Sequence, residues 1–112
     1  MVLSGSYIAQ EAQRRGIPVI QEVFADRGYT EKGTLVPRTE GGAFIKDPQE
    51  ALDRVLMMVT KGKVVTNTGK TIDIVADSVC VHGDNPEAID FTRYIREGLT
   101  KAGVTVANFQ HR

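Results

Sequence analysis

The chain has 112 residues, with 14 basic and 14 acidic side chains and no formal net charge. Its content of 41% hydrophobic and 25% charged residues is that of a folded globular chain, not a disordered or fibrous one. Balanced charge removes the electrostatic basis for binding nucleic acid or an anionic membrane, and the length predicts a single unit over residues 1–112.

Cys80 is the one cysteine, which excludes an internal disulfide and any Cys-rich zinc pattern. A reducing cytoplasm is the compartment this favours. The start, Met1 to Ser6, lacks the basic patch and apolar run of a secretion signal. No stretch of about 18 apolar residues predicts a membrane span.

In chain order, Met1-Val2-Leu3 is strand-like. Residues 6–15 then predict a helix with Ile8, Ala9 and Ala12 on one face, ended by Gly16. An apolar run from Ile17 through Phe24 predicts a strand, with Pro18 tolerated near its start. Residues 25–46 are punctuated by Gly28, Gly33, Pro37, Gly41 and Gly42, with Leu35-Val36 as a candidate short strand. A connection of about twenty residues is long for a compact domain, and such loops are functional or disordered.

Asp47-Pro48-Gln49-Glu50 predicts a helix start, with Asp47 as cap and Pro48 in the first turn. Its apolar stripe is Ala51, Leu52, Val55, Leu56 and Val59, and Gly62 ends it. Residues 64–66 and 71–74, joined through Asn67-Thr68-Gly69-Lys70, predict a hairpin. Ser78 to His82 predicts a short buried parallel strand. Asn85-Pro86-Glu87 then opens a helix that turns Ala88, Ile95, Leu99 and Ala102 inward and ends at Gly103, and residues 104–107 predict a last strand. Strands separated by helices imply an α/β fold with parallel strands, right-handed crossovers and a small hairpin.

Ligands of parallel α/β folds bind beyond the carboxyl ends of the strands. Two such ends are polar here. In the first, the two-residue strand period puts Glu22, Phe24 and Asp26 on one face. Two carboxylates there can serve as a general base or hold a cationic group. The structural alternative is that Glu22 pairs with Arg27 or Arg38, while Asp26 caps the turn at Gly28.

At the second end, His82 stands at the strand terminus and Asp84 follows a permissive glycine before a helix N-terminus, a place that favours anions. Histidine readily exchanges protons near neutral pH. Cys80 shares a strand face with His82, so a thiol–imidazole couple stands beside the reading of Cys80 as an inert small hydrophobe.

The long loop adds Arg27, Tyr29, Lys32 and Arg38 among glycines, and arginine forks match carboxylates and phosphates. A solvated flap is the alternative for this segment. No Walker-type lysine loop or dinucleotide fingerprint is present. With His111 in the tail as the second histidine, the ligand count near His82 is too low to predict a metal site.

The motif Glu22-Val23-Phe24-Ala25-Asp26-Arg27-Gly28-Tyr29, followed by Gly33-x-Leu35-Val36-Pro37-Arg38 and Gly42-Ala43-x-Ile45, resembles the LamB/YcsF family. So does Val79-Cys80-Val81-His82-Gly83-Asp84 before a helix. The resemblance covers essentially the whole chain. It implies the C-terminal portion of a distorted (β/α) barrel related to sugar deacetylases, since family members are about twice as long. The family's acidic NADLGE-type motif and its HAGD-like, HP and KPHG segments do not occur in this stretch. Catalysis is therefore expected to need that N-terminal part.

What the resemblance implies for activity is an ATP-dependent amidohydrolase. It opens the cyclic amide of 5-oxoproline to L-glutamate, as the A subunit of the prokaryotic 5-oxoprolinase, with partner subunits B and C. The resemblance itself assigns no roles; the chemistry of the residues makes His82, oriented by Asp84 or Asp26, the expected acid–base group for such a reaction. Glu22, Arg27, Tyr29 and Arg38 are candidates to bind substrate or phosphate. A different expectation is a non-catalytic scaffold that oligomerises through an exposed sheet edge.

Overall fold

The computed structural model describes residues 1–81 and 86–107. Its elements are β1 (Val2–Leu3), α1 (Tyr7–Arg14), β2 (Gln21–Phe24), α2 (Pro48–Lys61), β3 (Lys63–Val65), β4 (Thr71–Asp73), β5 (Ser78–Cys80) and α3 (Pro86–Lys101). Three strands form a parallel sheet in the order β1-β2-β5, and β3 pairs with β4 as a separate antiparallel hairpin.

Alternation along β2 decides which face is covered. Val23 and Ala25 are buried with Ala51 and Val55 of α2 and with Ile95 and Leu99 of α3, and Val79 and Val81 pack against the same cluster. Glu22, Phe24 and Asp26 alternate with them and are half-buried on the other face. The register pairs Glu22 with Ser78 and Phe24 with Cys80, so β5 sends Ser78 and Cys80 to that same open face. One face of the sheet is thus a helix-covered core and the other a polar surface.

Gln21 ties the amino end of this sheet. Its backbone N–H donates to Asp77 Oδ2 at 3.0 Å, and its carbonyl accepts from the Asp77 N–H at 2.9 Å. Its side-chain oxygen accepts from the Gly5 N–H at 3.0 Å, while Ser4 Oγ donates to the Val75 carbonyl. Buried polar groups at Ser4 and Gln21 are in this way satisfied, as burial requires.

Each helix end has a local cause. Ser6 caps α1 by accepting from the Ala9 N–H at 3.3 Å. At the far end of α2, Gly62 takes φ 66°, a left-handed conformation that costs glycine little, and its N–H closes the helix onto Met58. Helices α2 and α3 meet where Gly98 leaves room: a Cβ there would lie 2.3 Å from Leu52 Cδ2.

Several expectations are corrected. Asp47 occupies the cap position of α2, but its side chain makes no capping hydrogen bond. The strand expected from Ile17 begins only at Gln21, leaving Ile17 and Pro18 in the connection. Ile8 points outward from α1, so only Ala9 of that helix is buried. Met58 joins the buried stripe of α2, while Leu56 and Val59 are half-buried. Residues 104–107 form no strand, and the Val104 N–H closes α3 by donating to the Leu99 carbonyl at 2.9 Å. Ala102 lies beyond the end of α3 and is exposed.

Candidate functional site

The open face of β2 and β5 brings Glu22, Asp26 and Cys80 together. Burial pushes the Cys80 thiol up to about 11, helped by its hydrogen bond to Glu22 and by the negative charge of Glu22 and Asp26. A thiol among carboxylates stays protonated and acts as a donor, the opposite of an activated nucleophile. Within the described residues Cys80 thus has the surroundings of an unreactive thiol, while the thiol–imidazole couple turns on His82. His82 and Asp84, like His111, lie outside the described residues.

The connection after β2 is a self-bonded loop at its inner positions, with residues 37–42 exposed. Gly28 N–H donates to the Ala43 carbonyl at 3.0 Å, Val36 N–H to the Gly28 carbonyl at 2.9 Å and Ile45 N–H to the Asp26 carbonyl at 2.9 Å. Isolated antiparallel bridges join Arg27 to Phe44 and Tyr29 to Leu35, which is as much strand character as Leu35 acquires. The hairpin braces the loop from outside, with Asn67 N–H donating to the Tyr29 carbonyl at 2.9 Å and Lys70 3.5 Å from Glu31.

Two of the residues proposed to bind substrate or phosphate are occupied internally. Arg27 is only 5% exposed, and its guanidinium donates from Nε to the Ala43 carbonyl at 3.0 Å and from Nη2 to the Val36 carbonyl at 2.8 Å. It is not paired with Glu22. Tyr29 is fully buried, and its hydroxyl accepts from the Phe24 N–H at 3.0 Å. Burial raises the pKa of that phenol above its ordinary value.

Arg38 and Lys32, by contrast, are exposed. Among the described residues no carboxylate forms an ion pair with either. Arg38 stands over the Phe44 ring at 6.0 Å, and Arg27 contacts the same ring at 5.1 Å. The open face thus carries two carboxylates, and the loop that follows β2 an exposed guanidinium, groups suited to proton transfer and to holding an oxyanion.

Sequence reasoning missed Phe44 and Arg54. Arg54 on α2 donates to the Val65 carbonyl at 3.0 Å and to the Arg27 carbonyl at 3.4 Å, clipping the root of the loop to the hairpin. Phe44 follows both loop arginines in sequence, and only the folded loop brings its ring to them. Arg54 had no signal either, because a charged residue at that helical position reads as solvent-facing.

Among the described residues no group of three or more His, Cys, Asp or Glu side chains is placed to hold a metal ion. None of the helices searched is long and apolar enough to cross a membrane. A cleft of about 530 Å³ is lined by Ser4, Gly5 and Gln21, by Glu31 and Lys32 of the loop and by residues 72–75 at the hairpin. The Ser4 and Gln21 side chains lining it are already committed to the hydrogen bonds described above.

The model of the LamB/YcsF family matches residues 1–112. The A subunit of 5-oxoprolinase from Fusobacterium nucleatum subsp. nucleatum is 56% identical over 106 residues, covering 95% of this chain and 41% of that protein. The corresponding 5-oxoprolinase polypeptide of Coprothermobacter proteolyticus is 50% identical over 111 residues, covering 99% of this chain and 42% of that protein. The crystal structure of the lactam utilization protein from Thermus thermophilus superimposes with a TM-score of 0.85 at 40% identity, over 96% of this chain and 43% of that one. The chain therefore spans about two fifths of the length of these relatives.

Proposed function

The chain belongs to the LamB/YcsF family, and from that premise we propose that it is a component of an ATP-dependent 5-oxoprolinase, contributing part of the A subunit. The observation that carries this reading is the 56% identity, over 95% of the chain, to a relative that bears that name. The reaction would hydrolyse the cyclic amide of 5-oxoproline to L-glutamate, with ATP as second substrate and subunits B and C as partners.

The chemistry explains why such groups are wanted. A lactam carbonyl is a poor electrophile, and transfer of a phosphoryl group to its oxygen converts that oxygen into a leaving group. Water then adds at the carbon, losing a proton to a base, and the ring nitrogen gains one as its bond to carbon breaks; the acyl phosphate this leaves is hydrolysed by a second water to L-glutamate and inorganic phosphate. We assign the carboxylates of Glu22 and Asp26 to the wall of this site, with His82 and Asp84, which follow β5 in the sequence, as the acid–base pair. Arg38, and not Arg27, is the better oxyanion ligand, because among the described residues its donors are uncommitted.

We further propose that the open sheet face lines the interior of a distorted (β/α) barrel completed by the remainder of a full-length polypeptide. Supporting this are the polar character of that face and the exposed Met1, Tyr7, Ile8 and Ile17 beside the β1 edge.

The test is reconstitution. The chain is co-expressed with the complementary N-terminal segment of a relative and with subunits B and C, and glutamate and ADP formation are measured with 5-oxoproline. The expected result is 5-oxoproline-dependent release of both products, lost when the chain is omitted. No turnover, while a relative split at the same point and reassembled is active, would overturn the proposal.

A further inference from the structure

We infer that the two loop arginines have separate roles in one device. Arg27 is a positioning residue that locks the 26–45 loop from within, and Arg38 is the guanidinium that the loop presents to an oxyanion of a substrate. The inference rests on the 5-oxoprolinase reading for the identity of the substrates and on geometry for the division.

The geometry separates the residues by what their donors do. Arg27 bridges two carbonyls from opposite limbs of the loop, Val36 and Ala43, and is itself held at its backbone carbonyl by Arg54. A planar fork that reaches two acceptors fixes their separation, which a lysine ammonium does not reproduce. The Phe44 ring transmits this constraint, since Arg27 stands 5.1 Å from its centroid and Arg38 6.0 Å from it. Arg38 thus contacts the same ring that Arg27 contacts, while it is itself exposed and, among the described residues, has no ion-pair partner.

The ligand class is an oxyanion, carboxylate or phosphate, because a free guanidinium fork matches either. The 5-oxoproline carboxylate and the phosphates of ATP are its two sources, and kinetics tell them apart. In the reconstituted assembly, Arg38→Ala should raise KM for one of the two substrates about tenfold or more with kcat held within about twofold, the signature of lost uniform binding. Arg38→Lys should recover part of that loss.

Arg27→Lys should lower kcat/KM for both substrates. In the 112-residue chain, backbone hydrogen exchange at Gly28, Val36 and Ile45 should accelerate at least about tenfold, while Val55 in α2 keeps its protection. Phe44→Leu leaves the Arg27 carbonyl bonds in place and should reproduce the Arg38→Ala defect in part, which serves if Arg27→Lys does not fold.

Unchanged KM for both substrates in Arg38→Ala would overturn the role of Arg38. Unchanged exchange at the three loop amides in Arg27→Lys would overturn that of Arg27. The exchange measurement needs no turnover, so it decides the positioning role even where the assembly shows no 5-oxoprolinase activity.

Discussion

Gly28 and Gly42 approach so closely that a Cβ on Gly28 would lie 2.0 Å from the Gly42 carbonyl oxygen. The contact is backbone against backbone, so no side-chain rotation relieves it. Gly28→Ala is therefore expected to destabilise the chain by at least about 2 kcal/mol, the cost of overpacking that the backbone must absorb. Gly41→Ala meets nothing within 4 Å and should stay within about 0.5 kcal/mol of the parent. Urea denaturation of both variants measures the difference, and equal midpoints would refute the close approach.

Gly98 and Leu52 pose the same problem between helices, but with a movable partner. Gly98→Ala gains about 1 kcal/mol of helix propensity and loses about 1–3 kcal/mol to the clash with Leu52, for a modest net loss. Leu52→Ala alone should cost about 2–5 kcal/mol. The double variant should be more stable than the sum of the two by about 1 kcal/mol or more, since the shortened side chain removes the clash. Additive effects would mean that the helices do not meet at this pair.

Cys80 should be a slow thiol. With its pKa pushed from 9.0 to about 11 by burial and then by Glu22 and Asp26, alkylation near pH 8 should run roughly a hundredfold slower than in the urea-unfolded chain, in proportion to the thiolate fraction. Glu22→Gln removes a charge and should speed the reaction. The sign for stability follows from proton binding: between about pH 9 and 11 the unfolded chain releases the thiol proton first, so stability falls as pH rises through that window. A folded-state rate equal to that of the unfolded chain would contradict the placement of the two carboxylates.

The two helix starts should respond differently to alanine. Ser6 Oγ accepts from the Ala9 N–H at 3.3 Å, and Ser6→Ala should cost about 1 kcal/mol. Asp47 makes no such bond, so Asp47→Ala should cost less than about 0.5 kcal/mol, confined to its interaction with the helix dipole. Thermal denaturation at low and high salt separates the two, because only the dipole effect is screened.

Local pattern carried most of the elements into view. The periodicity of Ala51, Leu52 and Val55, the Pro48 start and the Gly62 stop outlined α2, and strand alternation put Glu22 and Asp26 on one face, where the structure has them. What the pattern could not hold was the destination of polar groups across the chain. Arg27 looks identical on paper whether its fork meets a ligand or the Val36 and Ala43 carbonyls, since both acceptors are distant in sequence and carry no signature. Residues 104–107 failed for a related reason: β propensity says nothing about whether an N–H is free to join a ladder. The neighbourhood of Cys80 was half legible, because strand parity gives a face but not the register that sets Phe24 opposite Cys80.

The central position of β2 also shapes the order in which this chain can assemble. Its tie to the β1–α1 segment closes a loop of 16 residues between Gly5 and Gln21, whereas its tie to the start of β5 spans 56 residues between Gln21 and Asp77. The longer closure costs about 1 kcal/mol more in chain entropy and must wait for α2 and the hairpin, which are built from near neighbours. Such separations slow folding. β5 is thus expected to dock last, and the face that sets Glu22 and Asp26 against Cys80 comes into being only at that final step.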